Sequence, residues 1–389
     1  MTRPIPRLLD MMRQLIATPS VSSVNPEYDQ PNQPVLERMA PWLTDLGFTV
    51  ELQPVPGHPG KANLIATLQE GPGGLVLSGH TDTVPYDKGR WRYDPFSLTE
   101  KGGRLYGLGT SDMKAFFAIA IAAASYFAAR DLHQPLIILA TADEESSMSG
   151  AKALVETGWP RARYAVIGEP TGLKPVHTHK GIMMEAIRVR GRSGHSSDPA
   201  LGASALEGMH RVIAELLAWR AELQATYRNP LFSVPVPTLN LGYIRGGDNP
   251  NRICAECELQ IDLRPLPGMD LDDLRTVLRS RLEGVVEGSG LAIEVSPLFP
   301  GVPTLETEAA SAIVRAAERL TGHSAGAAAF ATEGPFLSAL GMETVILGPG
   351  DIAQAHQPDE YLALERVQPA LDILQGLIAE FCLTSERVV

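Results

Sequence analysis

Five short segments hold the residues best suited to chemistry: His80-Thr81-Asp82, Asp112, Asp143-Glu144-Glu145, Glu169 and His356. In an extended segment, positions i and i+2 point the same way, so His80 and Asp82 share a side. An imidazole placed there can bind a metal through one ring nitrogen while a neighbouring carboxylate supports the other. A loop histidine satisfied by a hydrogen bond is the plainer alternative. Asp143-Glu144-Glu145 could be a solvated acidic turn, but it closes an apolar run, which is a poor place for idle charge. Adjacent residues of extended backbone face opposite ways, so one glutamate can take a metal while the other serves as general base. Asp112 follows the polar loop 107–111 at the entry to an apolar helix, where a helix N-cap competes with a ligand role. Taken together, two neutral histidines and three carboxylates carry three negative charges into a partly desolvated cleft. One divalent ion leaves one charge uncompensated; two overshoot by one, which a hydroxide between them would cancel. Mixed imidazole and carboxylate ligands suit zinc, and a shared carboxylate suits a two-metal hydrolytic site.

The elements that must position these residues are legible as apolar runs closing in polar loops. Gly74–Ser78 leads to His80, Pro135–Thr141 to Asp143, Arg163–Ile167 to Glu169, and Glu343–Leu347 to the loop that bears His356. Separated by helical patterns at 112–130 and 149–157, these runs read as buried strands of an α/β sheet. In open α/β sheets the working site lies beyond the carboxyl ends of the strands, and each candidate ligand stands at such an end. Helical spacing also marks 5–20, 34–47 (stopped by Gly47), 305–321 and 366–382. The middle of the chain reads as strand 183–190, helix 203–227, strands 238–244 and 253–264, helix 271–288 and strand 291–298. That β-α-β-β-α-β order is the ferredoxin-like pattern. It predicts an inserted domain over 179–299, with the surrounding domain formed by 1–178 and 300–389.

Composition narrows the class. Of 389 residues 44% are hydrophobic and 20% charged, an ordinary globular balance. A net charge of −12 argues against nucleic acid as a partner. The longest uncharged stretch, 115–129, falls short of the roughly 20 residues that span a bilayer. The first residues carry charge where a signal peptide needs an apolar core. Three cysteines fit a reducing compartment, so a cytoplasmic location is expected. Four features invite over-reading. Cys254 and Cys257 have redox spacing, but on a strand they face opposite ways. His177 and His179 share a face yet lack nearby acids, and read as hinge or rim residues. Gly107 and Gly109 lack the rest of a dinucleotide fingerprint. The pair Met183-Met184 is strand packing.

The ordered set Ser78–Pro85, Gly109–Lys114, Asp143–Glu145, Gly168–Thr171 and His356 resembles the zinc-dependent amidohydrolase and exopeptidase family, over essentially the whole chain. That family includes deacetylases, desuccinylases, aminoacylases and carboxypeptidases. Segments 193–199, 238–242, 251–254, 262–268, 332–336 and 354–361 are most similar to the branch that hydrolyses N2-acetyl-L-ornithine to L-ornithine and acetate. Another N-acyl amino acid deacylase or a desuccinylase is the alternative. Ala115 departs from the pattern, where glycine is frequent. The resemblance implies a mixed-sheet catalytic domain with an inserted dimerisation or lid domain, two zinc ions per subunit (cobalt a plausible substitute), a homodimer and a small N-acyl amino acid substrate. It implies that Asp112 bridges both metals, with His80 and Glu169 completing one and Glu145 and His356 the other. Glu144 would be the general base, Asp82 the support of His80, and the peptide after Asp112 cis. His195 would reach a partner subunit's site and stabilise the oxyanion. Arg264 with Asn251 is the candidate for the substrate α-carboxylate, and Glu333 for the side-chain ammonium.

Overall fold

The computed structural model describes residues 5–128 and 132–383. Its strands, in chain order, are β1 (Thr49–Pro54), β2 (Ala62–Leu68), β3 (Leu75–His80), β4 (Thr99–Lys101), β5 (Arg104–Tyr106), β6 (Leu136–Thr141), β7 (Tyr164–Ile167), β8 (Val176–His179), β9 (Met183–Arg190), β10 (Thr238–Gly246), β11 (Glu256–Arg264), β12 (Ala292–Pro297), β13 (Leu305–Glu306), β14 (Gly326–Ala328), β15 (Glu343–Ile346) and β16 (Tyr361–Ala363). The helices are α1 (Leu8–Ile16), α2 (Gln33–Asp45), α3 (Lys114–Ser125), α4 (Ser149–Thr157), α5 (Ala205–Thr226), α6 (Leu271–Val286), α7 (Ala312–Thr321), α8 (Gly334–Ala339) and α9 (Val367–Ile378).

The chain divides into two units, 1–177 with 307–326 and 332–389, and 178–306 with 327–331. Of the first, residues 1–4 and 384–389 lie outside the described residues, as do positions 129 and 130 of the expected helix 112–130. In the first unit, β1, β2, β6, β3, β7 and β15 lie side by side in that order. The pairs β6/β3, β3/β7 and β7/β15 are parallel, so four carboxyl ends open on one edge. The apolar runs are buried on both faces, and alternation sorts them. Leu75, Leu77, Leu136, Ile138, Tyr164 and Val166 enter one core, while Val76, Ile137, Leu139, Ala165 and Ile167 enter another. Helix α3 is apolar on every side and buried along its length, as befits a helix packed against β3 and β6 and covered by α1 and α9. Phe116 of this helix and Met113 just before it fix two glycines. A Cβ at Gly168 would lie 2.2 Å from Phe116 Cγ, and one at Gly79 2.2 Å from Met113 Cε. Each of these glycines directly precedes a candidate ligand.

In the second unit, β10, β11, β9 and β12 form an antiparallel sheet in that order. With α5 and α6 between them in sequence, this is the ferredoxin-like βαββαβ arrangement. Ser204 caps α5 and Asp270 caps α6 by accepting first-turn N–H groups. Buried Cys257, Leu259, Ile261 and Leu263 alternate along β11. Among the described residues no helix is long and apolar enough to cross a membrane.

Three expectations need correction. The helix expected over 305–321 begins only at Ala312: Leu305 and Glu306 pair with His179 and Thr178, and Thr307 N–H donates to the His177 carbonyl. The return to the first unit falls at 306/307 rather than 299/300, because Ile182 and Val302 exchange backbone hydrogen bonds. Residues 327–331 also join the second unit, with Lys180 N–H donating to the Ala328 carbonyl. Finally, β11 starts at Glu256, so Cys254 precedes the strand. Both Cys254 and Cys257 are free thiols buried in the same core rather than facing opposite ways.

Candidate metal centre

His80 is the last residue of β3 and is buried. Its Nδ1 lies 3.0 Å from the Asp82 carbonyl oxygen. A carbonyl can only accept, so Nδ1 carries the proton and a neutral ring presents its lone pair at Nε2. That Nε2 faces carboxylate oxygens, 3.1 Å from Asp112 Oδ1 and 3.8 Å from Glu169 Oε1. Asp82 reaches two ways: Oδ1 is 3.6 Å from His80 Nδ1, and Oδ2 accepts the Glu145 N–H at 3.1 Å.

Asp112 sits in the turn before α3, and its peptide bond to Met113 is cis. Its second oxygen, Oδ2, lies 3.4 Å from His356 Nε2, which is also 3.1 Å from Glu145 Oε1. His356 follows β15, has φ +60° and is the exposed member of the set. Three overlapping groups of donor atoms result: His80, Asp112 and Glu169; Asp112, Glu145 and His356; and His80, Glu144 and Glu145. Extended backbone was expected to send Glu144 and Glu145 to opposite sides. Instead β6 ends at Thr141, Asp143 takes φ +58°, and the turn that follows gives both glutamates to the cluster.

The electrostatics favour a cation. Burial and neighbouring carboxylates push Glu144 and Glu169 well above the usual carboxylate range. Burial likewise raises Asp82 and Glu145. Asp112 goes the other way: burial opposes its charge, but hydrogen bonds with His356 and His80 win and hold it below its usual value. Bonds to Asp112 and Glu145 raise His356 to about 10. Without a metal, protons must fill the gaps between these oxygens and nitrogens. Buried Glu169 Oε1 and Asp82 Oδ1 have no hydrogen-bond partner at all. Mixed imidazole and carboxylate donors in a buried, acid-rich cleft fit divalent metal ions, and His80, Asp112, Glu145, Glu169 and His356 are the residues that would hold them.

Of the remaining predicted site residues, one borders the cluster and three lie in the second unit. Glu333 is in the first unit, at the start of α8, and only 1% exposed. Its Oε2 accepts the Thr141 hydroxyl at 2.8 Å, its Oε1 has no partner, and burial raises it to about 7. It is enclosed beside the metal cluster, where its charge acts on Glu144 and Glu169 and meets those of His80 and Asp82. In the second unit His195 is exposed and its Nδ1 lies 2.7 Å from Ser197 Oγ. Asn251 joins the same surface, its carbonyl accepting the Ser196 N–H at 3.1 Å. Arg264 ends β11 and its Nε is 2.9 Å from Asp262 Oδ1. The nine residues of β11 separate Arg264 from Asn251 by about 30 Å of strand. The expected joint grip on one carboxylate is therefore not formed within a chain.

Sequence reasoning assigned no role to Glu360 or to Lys61. Glu360 is buried and its Oε1 accepts the N–H groups of Ser111 and Asp112. Lys61, also buried, bonds Asp143. The signal available for both was a charge set directly beside an apolar run.

Comparisons with known proteins agree with this geometry. A model of the peptidase family M20/M25/M40 matches residues 76–380. An acetylornithine deacetylase of Proteus mirabilis (strain HI4320) is 48% identical over 98% of this chain and 98% of its own. One from Edwardsiella ictaluri (strain 93-146) is 49% identical over 98% of this chain and 100% of its own. Among solved structures, an M20 family metallo-carboxypeptidase from Sulfolobus solfataricus shares the fold at a TM-score of 0.75 and 18% identity, covering 96% of this chain and 99% of that one. Family model, full-length relatives and fold converge, and the chain belongs to the peptidase family M20/M25/M40.

Proposed function

We propose that this chain is a two-zinc deacetylase that hydrolyses N2-acetyl-L-ornithine to L-ornithine and acetate, a step of arginine biosynthesis. The observation that carries the reading is Asp112, whose two oxygens face two separate ligand groups. Relatives named acetylornithine deacetylase at 48–49% identity support the choice of substrate. Bound there, two zinc ions (or cobalt) would polarise the scissile carbonyl and make water acidic enough to attack near neutral pH.

The chain's own residues do the rest. Glu144 takes the proton from the attacking water and returns it to the departing amine. Burial and neighbouring carboxylates raise its pKa, which makes it a stronger base than a free glutamate and lets it later act as an acid. Asp82 holds His80 Nδ1 through its carbonyl and the Glu144–Glu145 turn through its carboxylate, which accepts the Glu145 N–H, and so keeps base and ligands in register. His195, exposed on the second unit, serves the oxyanion in a partner subunit's site, which makes the working form a homodimer. Arg264 binds the substrate α-carboxylate through its guanidinium fork. Three free thiols and the acidic net charge favour a cytoplasmic enzyme that binds neither nucleic acid nor membrane.

The test is ornithine release by metal-stripped protein before and after zinc, beside N-acetylmethionine and succinyl-diaminopimelate. Zinc-dependent turnover that favours N2-acetyl-L-ornithine is expected. Preference for another acyl amino acid would move the specificity, and no zinc-dependent turnover of any of them would overturn the reading.

A further inference from the structure

A second buried ionic group lies behind the acidic turn. Lys61, immediately before β2, is 4% exposed, and its Nζ is 2.7 Å from Asp143 Oδ1 and 2.8 Å from Asp29 Oδ1. Asp143, itself 3% exposed, is held by four side chains. Its Oδ1 takes Lys61 and the Ser22 hydroxyl at 3.0 Å; its Oδ2 takes the Ser149 hydroxyl at 3.1 Å and lies 3.3 Å from His58 Nδ1. Its carbonyl accepts the N–H groups of Ser147 and Met148, and Ser22 also reaches Ser146 at 2.6 Å.

This concentration of polar contacts is poorly explained as a source of stability. A buried ion pair gains little net free energy over well-packed apolar groups. What it does is geometric. Asp143 has φ +58°, a left-handed conformation that side chains other than glycine adopt at a cost unless their surroundings hold them. That conformation turns the chain so that Glu144 and Glu145, the next two residues, both join the donor cluster.

We propose that Lys61 and Asp143 are positioning residues for the reaction: the buried pair, with Ser22, fixes the turn that places the base Glu144 and the ligand Glu145. The proposal rests on the di-metal deacetylase reading. Two elements brace Glu145 from opposite ends of the turn, Asp143 through its side chain and Asp82 through the Glu145 N–H. Misplacing reacting groups by an ångström is enough to slow a reaction by about a hundredfold.

Three variants test it: Lys61→Met, Ser22→Ala, and Lys61→Met with Asp143→Asn. Each is measured for kcat and KM with zinc-loaded protein, for zinc affinity of the stripped protein by equilibrium dialysis, and for thermal unfolding. Lys61→Met should lower kcat about 10–100-fold with KM nearly unchanged, and should weaken the zinc that Glu145 and His356 would hold about tenfold, as loss of an outer support does. Ser22→Ala, which removes one hydroxyl, should act the same way to a smaller extent, and it decides the matter if Lys61→Met does not fold. The double variant leaves no uncompensated charge in the buried part of the group, since the remaining carboxylate, Asp29, is partly open to solvent, so it should recover thermal stability without recovering kcat. The idea fails if kcat and zinc affinity hold while only the unfolding temperature falls. It also fails if Lys61→Met tightens zinc, which is what simple removal of a nearby positive charge would do. Should the unaltered protein not turn over N2-acetyl-L-ornithine, the functional reading falls while the dialysis arm still decides the positioning role.

Discussion

The carboxylate of Glu360 accepts the backbone N–H of Asp112 at 3.0 Å, and that of Ser111 at 2.7 Å. Asp112 is thus gripped by its main chain, and both of its side-chain oxygens stay available to the two histidines. Removing the acceptor leaves two N–H groups unpaired in a buried place, each worth about 1–3 kcal/mol. Glu360→Ala should therefore lower the unfolding temperature and weaken zinc binding together. Glu360→Gln keeps an acceptor oxygen and should do much less. Thermal unfolding with and without zinc, read beside metal content, checks the pair.

Glu144 touches neither histidine at hydrogen-bond distance in the way Glu145 does, which suits a base rather than a ligand. Glu144→Gln should keep the metal content of the unaltered protein while kcat falls about 10²–10⁴-fold, the usual contribution of a general base. Atomic emission analysis of the purified variant settles the first half, steady-state kinetics the second. Substantial residual activity would mean that another group takes the proton.

The pH response of the metal-free protein follows from its buried acids. Burial raises Glu333 to about 7 and Glu360 to about 8. Each keeps its proton in the folded chain after the unfolded chain has lost it, so the stabilisation is complete below about pH 4.5 and drains away as pH rises through 7 and 8. Lys114, lowered to about 7 by burial, works in the opposite direction only above that pH. Between pH 5 and 7 the unfolding temperature of stripped protein should therefore fall. Zinc should remove most of the decline, because cations in the cluster favour the ionised acids. Calorimetry at pH 5, 6 and 7 with and without metal reads this directly, and a rise for the stripped protein would contradict it.

A site completed across subunits can be tested by complementation. His195→Ala and Glu144→Gln proteins should each be nearly inactive. Mixed and allowed to exchange, half of the dimers carry both changes, and each of these holds one native site of its two. The mixture should regain roughly a quarter of full activity. No recovery after proven exchange would place His195 outside the partner's site.

The sequence reveals the parallel strands well, because runs such as Leu136–Thr141 are buried on both faces and stay apolar throughout. It reveals the ligands because each stands where such a run stops. Helix α4 matches its expected limits, since Gly158 in a left-handed conformation ends it sharply. What stays hidden depends on partners distant in sequence. Strand β1 is largely exposed and owes its form to pairing with β2. Segment 305–311 has a helical pattern, but the edges offered by Thr178 and His179 capture its start. The left-handed backbone of Asp143 likewise cannot be inferred from Asp-Glu-Glu, because Lys61, Ser22 and His58 impose it from far upstream.

The order of the ligands along the chain bears on how the molecule is made. His80 and Asp112 are synthesised early, but His356, Glu360 and the α9 helix that covers α3 come only after the whole second unit. A ribosome therefore releases the start of the first unit long before its core can close, while the middle segment, continuous from 178 to 306, can fold as it emerges. The part made first is the part finished last. A chain interrupted between residues 306 and 356 would carry an acid-rich half-site, an apolar helix without its α9 cover and a well-formed but idle ferredoxin-like unit.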